Sequence, residues 1–345
     1  MKPILITMGD AAGIGPEIIA KAWQNHPPDV ADCVVVGDVA TMRRAAAVVA
    51  KPLALPVAEL AELGELAAFQ PLPNCIPVIQ KCELLEPVFI GQVSGLAGIA
   101  AADCIVWAAQ AVLNSHASAM VTAPIHKQAL SAAGGWAARF PGHTEMLQFE
   151  AARFLGKGVA DLPVRMMLAN NELKTVLVSI HMSLKKAIEA VTFDSVLQTL
   201  RITHAALQKS RGRAPHIAVA GLNPHAGEGG LFGNEEQTII TPAIAAARLE
   251  GMQVSGPFAP DTVFMRARSK SGEPGEFDVV VAMYHDQGLI PVKYLGVEQG
   301  INVTLGLPLI RTSPDHGTAF DIAGTGKADE ASLIAAIRMA RKLAG

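Results

Sequence analysis

Short continuous runs of Val, Ile and Leu recur along the chain, each ending in glycine or polar residues before a longer apolar-periodic stretch begins. The runs are ILITMGD (4–10), CVVVGD (33–38), SAMVTAPIHK (118–127), RMMLAN (165–170), TVLVSIH (175–181), HIAVAGLNPHAGEGG (216–230), DVVVAMYHDQG (278–288) and INVTLGLPLIRTSPDHG (301–317). Runs without polar alternation suit strands buried on both faces. Strands alternating with helices predict an α/β fold with a mostly parallel sheet under helices. Helices are predicted over 16–25, 39–51, 95–114, 183–192, 194–209, 235–250 and 329–344. The segment 52–90 is proline-rich and irregular, with one helix-like piece at 57–69. No repeat or low-complexity linker marks a domain boundary, yet 345 residues suffice for a large core and two lobes.

The first run leads into MGDAAGIGPEII, which invites comparison with a dinucleotide-binding loop. Gly13 and Gly15 fit the first two glycines of G-x-G-x-x-G, but the third position holds Ile18. Pro16 suits the first turn of a helix. Glu17 would then lie in that turn, where its charge favours the helix dipole and repels a phosphate. The Rossmann reading is therefore poor, and a dinucleotide would bind elsewhere.

Half the residues are hydrophobic and only 17% are charged, which fits a well-buried enzyme-like fold and excludes a disordered chain. The net charge of −3, with no Lys/Arg run longer than two, predicts no nucleic-acid partner. Mean hydropathy is positive, but the most apolar stretch, 96–113, is Ala-rich and carries Asp103, so a buried helix rather than a membrane span is expected. The first residues lack the pattern of a signal peptide. The four cysteines have no C-x-x-C spacing and are expected as free thiols in the cytoplasm.

In open parallel sheets, ligands gather beyond the carboxyl ends of the strands. Six of the ten histidines fall there or in nearby Gly/Pro-rich loops: His126, His143, His181, His225, His285 and His316. Three converging imidazoles would make a divalent metal site with an open position. No H-x-x-x-H spacing says which three. FPGHTE (140–145) presents His143 and Thr144 after a Pro-Gly turn, either toward an anion or as a helix cap. In MYHDQGLIPVK, Asp286 can orient His285, and Lys293 can move a proton. Arg311 closes the run LGLPLI and offers a fork for carboxylate or phosphate.

DHGTAFDIAGTGKAD (315–329) resembles the nucleotide loop of the isocitrate/isopropylmalate dehydrogenase fold. Together with GD-x-AGIGPE, PGHTE, GLNPHAGEGG, GP-x-x-PDTVF and AMYHDQGLIPVK, in that order, the whole chain resembles the 4-hydroxythreonine-4-phosphate dehydrogenase family of vitamin B6 biosynthesis. One departure is Ala11, where that family usually has proline.

The resemblance implies two α/β/α lobes with an active-site cleft between them, expected as 1–140 plus 305–345 and 141–304. It implies NAD or NADP near His316, Gly317, Asp321, Gly324 and Gly326. One divalent metal (Zn, Mg or Co) would sit on His181, His225 and His285. Substrate contacts would fall on His143, Thr144, Lys293, Asn302 and Arg311, with Lys293 or Asp286 as the base. It also implies a homodimer with active sites at the subunit interface, ligands coming from both chains. The implied reaction oxidises 4-phosphooxy-L-threonine at C3 and decarboxylates it to 3-amino-2-oxopropyl phosphate. Similar enzymes act on threonate or erythronate 4-phosphate and share these motifs. A metal-dependent hydrolase is a remoter reading, disfavoured by the loop at 315–330.

Overall fold

In the computed structural model, which describes residues 2–50, 52–67, 74–82, 84, 88–270, 272–296 and 299–345, the chain divides into two compact units. The first comprises Met1–Leu162 and Leu307–Ala344, the second Pro163–Gly306. The first unit opens with β1 (Ile4–Thr7), α1 (Gly15–Asn25), α2 (Pro27–Val30), β2 (Cys33–Gly37), α3 (Val39–Val49), β3 (Val57–Leu60) and β4 (Ile76–Gln80). It continues with α4 (Gly95–Leu113), β5 (Ala119–Thr122), α5 (Lys127–Ala133) and α6 (His143–Leu155). The second unit holds β6 (Arg165–Ala169), β7 (Lys174–Leu177), α7 (Leu184–Ala190), α8 (Phe193–Arg211), β8 (Ile217–Ala220) and α9 (Thr241–Leu249). It ends with β9 (Val254–Phe258), α10 (Val263–Ala267), β10 (Val279–Ala282), α11 (His285–Tyr294) and β11 (Ile301–Leu305). The chain then returns to the first unit with β12 (Arg311–Pro314) and α12 (Ala331–Ala344).

The fold is α/β, and its strands are mostly parallel. In the first unit they run β3-β4-β2-β1-β5-β12, every pair parallel. Both neighbours of β1 are in register with it, Ile4 opposite Cys33 on one side and Ala119 on the other. All residues of β1, β2 and β5 are buried, as continuous apolar runs require. The order reverses between β1 and β5, so the loops after these two strands frame the crevice where such sheets bind ligands. Helix α4 is apolar and long enough to cross a membrane by composition, but it packs on β1, β2, β5, α5 and α6 as a core helix.

In the second unit the order is β11-β6-β7-β10-β8-β9. Strand β6 is antiparallel to both neighbours, and β7, β10, β8 and β9 are parallel. Leu168, Leu177, Val280, Phe264, Phe277 and Leu289 form its core.

Several expectations need correction. The helix-like piece at 57–69 is strand β3 followed by a 3-10 turn, Leu63–Ala67, with 68–69 outside the described residues. Pairing of Val57–Leu60 with Ile76–Ile79 overrides the helical propensity of Ala, Glu and Leu. The irregular reading of 52–90 also missed β4. The first crossing between units falls after Leu162 rather than after 140, because α6 packs on α4; His143 and Thr144 thus belong to the first unit. HDQGLIPVKY, absent from the predicted helices, is helix α11. Gly288 and Pro291 hide its helical signal; a Cβ on Gly288 would press on the end of the Leu177 side chain and lie 3.0 Å from Ala282 Cβ, so glycine suits this close seat on the sheet.

Candidate functional site

Three of the candidate histidines follow neighbouring parallel strands of the second unit: His181 after β7, His285 after β10 and His225 after β8. Their surroundings are unusual in backbone geometry. His181 has φ +39°, and His225 has φ +52° in a left-handed turn continued by Ala226, Gly227, Glu228 and Gly229. Left-handed backbone is costly for residues with a Cβ and gathers at functional sites. The turn is held by buried Glu236, which accepts from the Leu222 and Asn223 N–H groups at 2.7 Å each and from Asn223 Nδ2 at 3.0 Å. Gln287 of α11 ties it down further, donating to the Gly221 carbonyl at 2.8 Å.

His181 and His285 come together, ring centroids 5.6 Å apart. They line a cavity of about 390 Å³ with Ser179, Ser183, Tyr284 and Asp286. Asp286 lies 2.7 Å from His285 Nδ1, which orients the ring and leaves Nε2 to a ligand. His225 instead faces Phe232, centroids 6.2 Å apart. Among the described residues, no three His, Cys, Asp or Glu side chains of this chain are grouped to hold a metal ion. Lys293 is exposed in the last turn of α11, eight residues and roughly 12 Å of helix rise from His285. Asn302 lies on β11, half-buried opposite Leu168.

The first unit brings Arg311 close to the start of α6. Arg311, only 6% exposed, donates to Thr122 Oγ1 through Nε at 3.0 Å and through its terminal nitrogen at 2.7 Å. Burial pushes its guanidinium down to about 10, and the Glu145 carboxylate pulls the other way. Helix α6 starts at His143, with Gly142 before it and no side chain capping the end. Thr144 is therefore not the cap; it stands in the first turn, where backbone N–H groups and the dipole favour an anion. Burial first, then the nearby Arg311 charge, hold His143 well below the usual histidine range, while a bond to the Ala123 backbone opposes them. His143 is thus neutral, and its buried Nε2 has no protein partner. A neutral ring with one nitrogen bonded to a carbonyl presents the other as an acceptor.

Over residues 29–340 the sequence matches the family described as pyridoxal phosphate biosynthetic protein PdxA. The chain belongs to the PdxA family. It is 49% identical over 341 residues to the 4-hydroxythreonine-4-phosphate dehydrogenase of Beijerinckia indica subsp. indica, covering 99% of this chain and 95% of that protein. It is 44% identical over 345 residues to the D-threonate 4-phosphate dehydrogenase of Salmonella typhimurium, covering 99% of each. The crystal structure of 4-hydroxythreonine-4-phosphate dehydrogenase from Klebsiella pneumoniae superposes with a TM-score of 0.86 at 40% identity, covering 100% of both chains. The relatives on both sides are dehydrogenases, which makes this PdxA-family chain an oxidoreductase.

The remaining candidates of the PdxA-family chain lie on the loop between β12 and α12. His316 contacts the Gly317 carbonyl through Nδ1 at 3.0 Å, Gly317 and Asp321 are exposed, and Gly324 and Gly326 are half-buried. Gly13 of the opening motif packs on this loop: a Cβ there would lie 2.9 Å from Thr318 Cβ. The sequence reading missed three groups. Glu236 holds the His225 turn. Asp10 is buried with burial raising its pKa against a bond from the Ala12 backbone, and it feels the neighbouring His126. His126 stacks on Phe320, centroids 4.7 Å apart. The third is Glu17, read as repelling phosphate; that its carboxylate meets the glycine loop was not visible in any spacing.

Proposed function

We propose that the chain is an NAD(P)-dependent dehydrogenase of 4-phosphooxy-L-threonine that oxidises C3 and releases CO2, giving 3-amino-2-oxopropyl phosphate for pyridoxal 5′-phosphate synthesis. The observation that carries this reading is the pairing of strained His181 with His285, itself oriented by Asp286, in a chain 49% identical to a relative named for this activity.

The two imidazoles, 5.6 Å apart and opening on a cavity, fit a shared divalent ion, Zn, Mg or Co. His181 and His285 of one chain and His225 of the partner subunit would hold it, in a homodimer. When bound, such an ion lowers the pKa of a substrate hydroxyl and polarises the carbonyl formed from it. Arg311, Thr144 and the start of α6 hold the anionic end of the substrate. Asn302 contacts it too, and His143 Nε2 accepts one of its O–H or N–H protons. Lys293 would take the C3 hydroxyl proton, and a bound NAD(P) would supply the acceptor for the hydride from C3. The carboxylate C–C bond then breaks, its electron pair moving toward the new carbonyl, and Lys293 returns a proton to the resulting carbon. His316, Gly317, Asp321, Gly324 and Gly326 frame the dinucleotide. Asp286 keeps the positioning role its bond to His285 supports.

The D-threonate 4-phosphate reading draws on the 44% identical Salmonella relative. Metal-loaded protein incubated with NAD or NADP separates the two by the absorbance of reduced cofactor. Rapid reduction with 4-phosphooxy-L-threonine, abolished by chelator, is expected. Reduction only with D-threonate 4-phosphate would move the chain to the second reading, and no reduction with either would remove both.

A further inference from the structure

We infer that Glu17 and the helix face it begins are the positioning frame of the dinucleotide loop, an inference that rests on assigning 315–330 to NAD(P). Glu17 is 4% exposed. Its two carboxylate oxygens accept from the backbone N–H groups of Gly324 and Gly326, the second at 2.9 Å. One turn on, Lys21 Nζ donates to the Ala328 carbonyl at 2.6 Å. A further turn on, Asn25 Nδ2 donates to Glu330 Oε1 at 2.7 Å. Spacing of four residues sets Glu17, Lys21 and Asn25 on one face of α1. That face meets every second loop residue, 324, 326, 328 and 330. Ahead of the helix, the Ile14 N–H donates to the Thr318 carbonyl at 3.0 Å, beside the close packing of Gly13 on Thr318. These contacts, made by residues 13–25, reach along the loop from 318 to 330, where His126 also stacks on Phe320.

This arrangement decides what the loop offers a ligand. The Gly324 and Gly326 N–H groups point at Glu17, so they fix the loop instead of cradling a phosphate. Carboxylate-to-amide bonds are roughly twice as strong as neutral ones. They are spent on glycines, which have the most backbone freedom to lose on ordering. With the frame in place the loop is ordered before the cofactor arrives; without it, binding has to order the loop, and dinucleotide affinity falls.

Glu17→Gln and Glu17→Ala test this. Glutamine keeps the size and one acceptor but turns an NH₂ toward the other glycine. In Glu17→Gln the KM for the dinucleotide should rise about three- to tenfold, and further in Glu17→Ala, for one and two lost charge-assisted bonds. The kcat at saturating dinucleotide and the KM for the phosphorylated substrate should stay within about twofold, a split that general damage to the fold would not give. Amide hydrogen exchange over 318–328 should accelerate in the same variants while β7 and β10 keep their protection. An unchanged dinucleotide KM with unchanged exchange, or a loss falling on kcat alone, would overturn the inference. If the wild-type protein neither binds nor reduces a dinucleotide, the assignment of 315–330 fails instead, and the exchange rates still report whether Glu17 holds the loop. Should Glu17→Ala not fold, the near-isosteric glutamine variant decides alone.

Discussion

Arg311 carries a charge that its surroundings do not favour. Its guanidinium falls from the usual arginine range to about 10 because burial strips its water. The folded chain thus holds this cation less readily than the unfolded chain does. The cost is fully present below about pH 10 and fades as pH rises from there toward the ordinary arginine range, as the folded chain gives up the proton first. By size it is on the order of 3 kcal/mol, against which its hydrogen bonds, two of them to Thr122, work. The proposed role of Arg311 in holding the anionic end of the substrate would account for keeping such a residue. Arg311→Met should therefore leave Tm unchanged or raise it, while kcat/KM falls more than about 100-fold. Inorganic phosphate should raise the Tm of the wild type and have little effect on the variant. A Tm loss above about 5 °C in the ligand-free variant would show that Arg311 is held there for stability instead.

The His225 turn shows how one element can depend on a residue outside it. His225, Ala226 and Glu228 sit at φ +52°, +53° and +44°, a hand that costs L-residues about 1–2 kcal/mol each. Glu236, 3% exposed, offsets this by accepting three bonds from the start of the loop. Glu236→Gln should weaken metal binding about tenfold by equilibrium dialysis without removing any imidazole, as changes behind a metal ligand commonly do; unchanged affinity would detach the turn from the metal. The parallel strands were legible because burial on both faces leaves uninterrupted apolar runs. Histidines at their ends were legible for the same reason. The hand of the turn was not, since Ala and Glu carry no left-handed preference, and its support stands fourteen residues beyond Leu222. Strand β3 was hidden by helix-forming residues that pairing with β4 overrides. Which imidazoles meet was hidden too, because that depends on strand order, where β10 lies between β7 and β8 although it comes after both in sequence.

One chain brings His181 and His285 together, and its His225 turn lies among exposed apolar side chains. Leu231 and Phe232 beside it are 72% and 48% exposed, and Met182 and Leu184 beside His181 are 46% and 59% exposed. Apolar surface next to both halves of a proposed ligand set fits a symmetric pair of subunits, each lending His225 to the other. In a two-fold pair the two sites are equivalent, so the consequence is countable. His225→Ala and His285→Ala proteins should each be inactive alone. After dissociation, mixing and reassociation, half of the pairs should contain one chain of each kind. Each such pair has one site with both defects and one with none. Activity should then return to about a quarter of the wild-type value, together with chelator sensitivity. If both proteins stay inactive after verified exchange of subunits, the three histidines act within one chain, and the His225 turn must swing toward His181 and His285 when the metal binds.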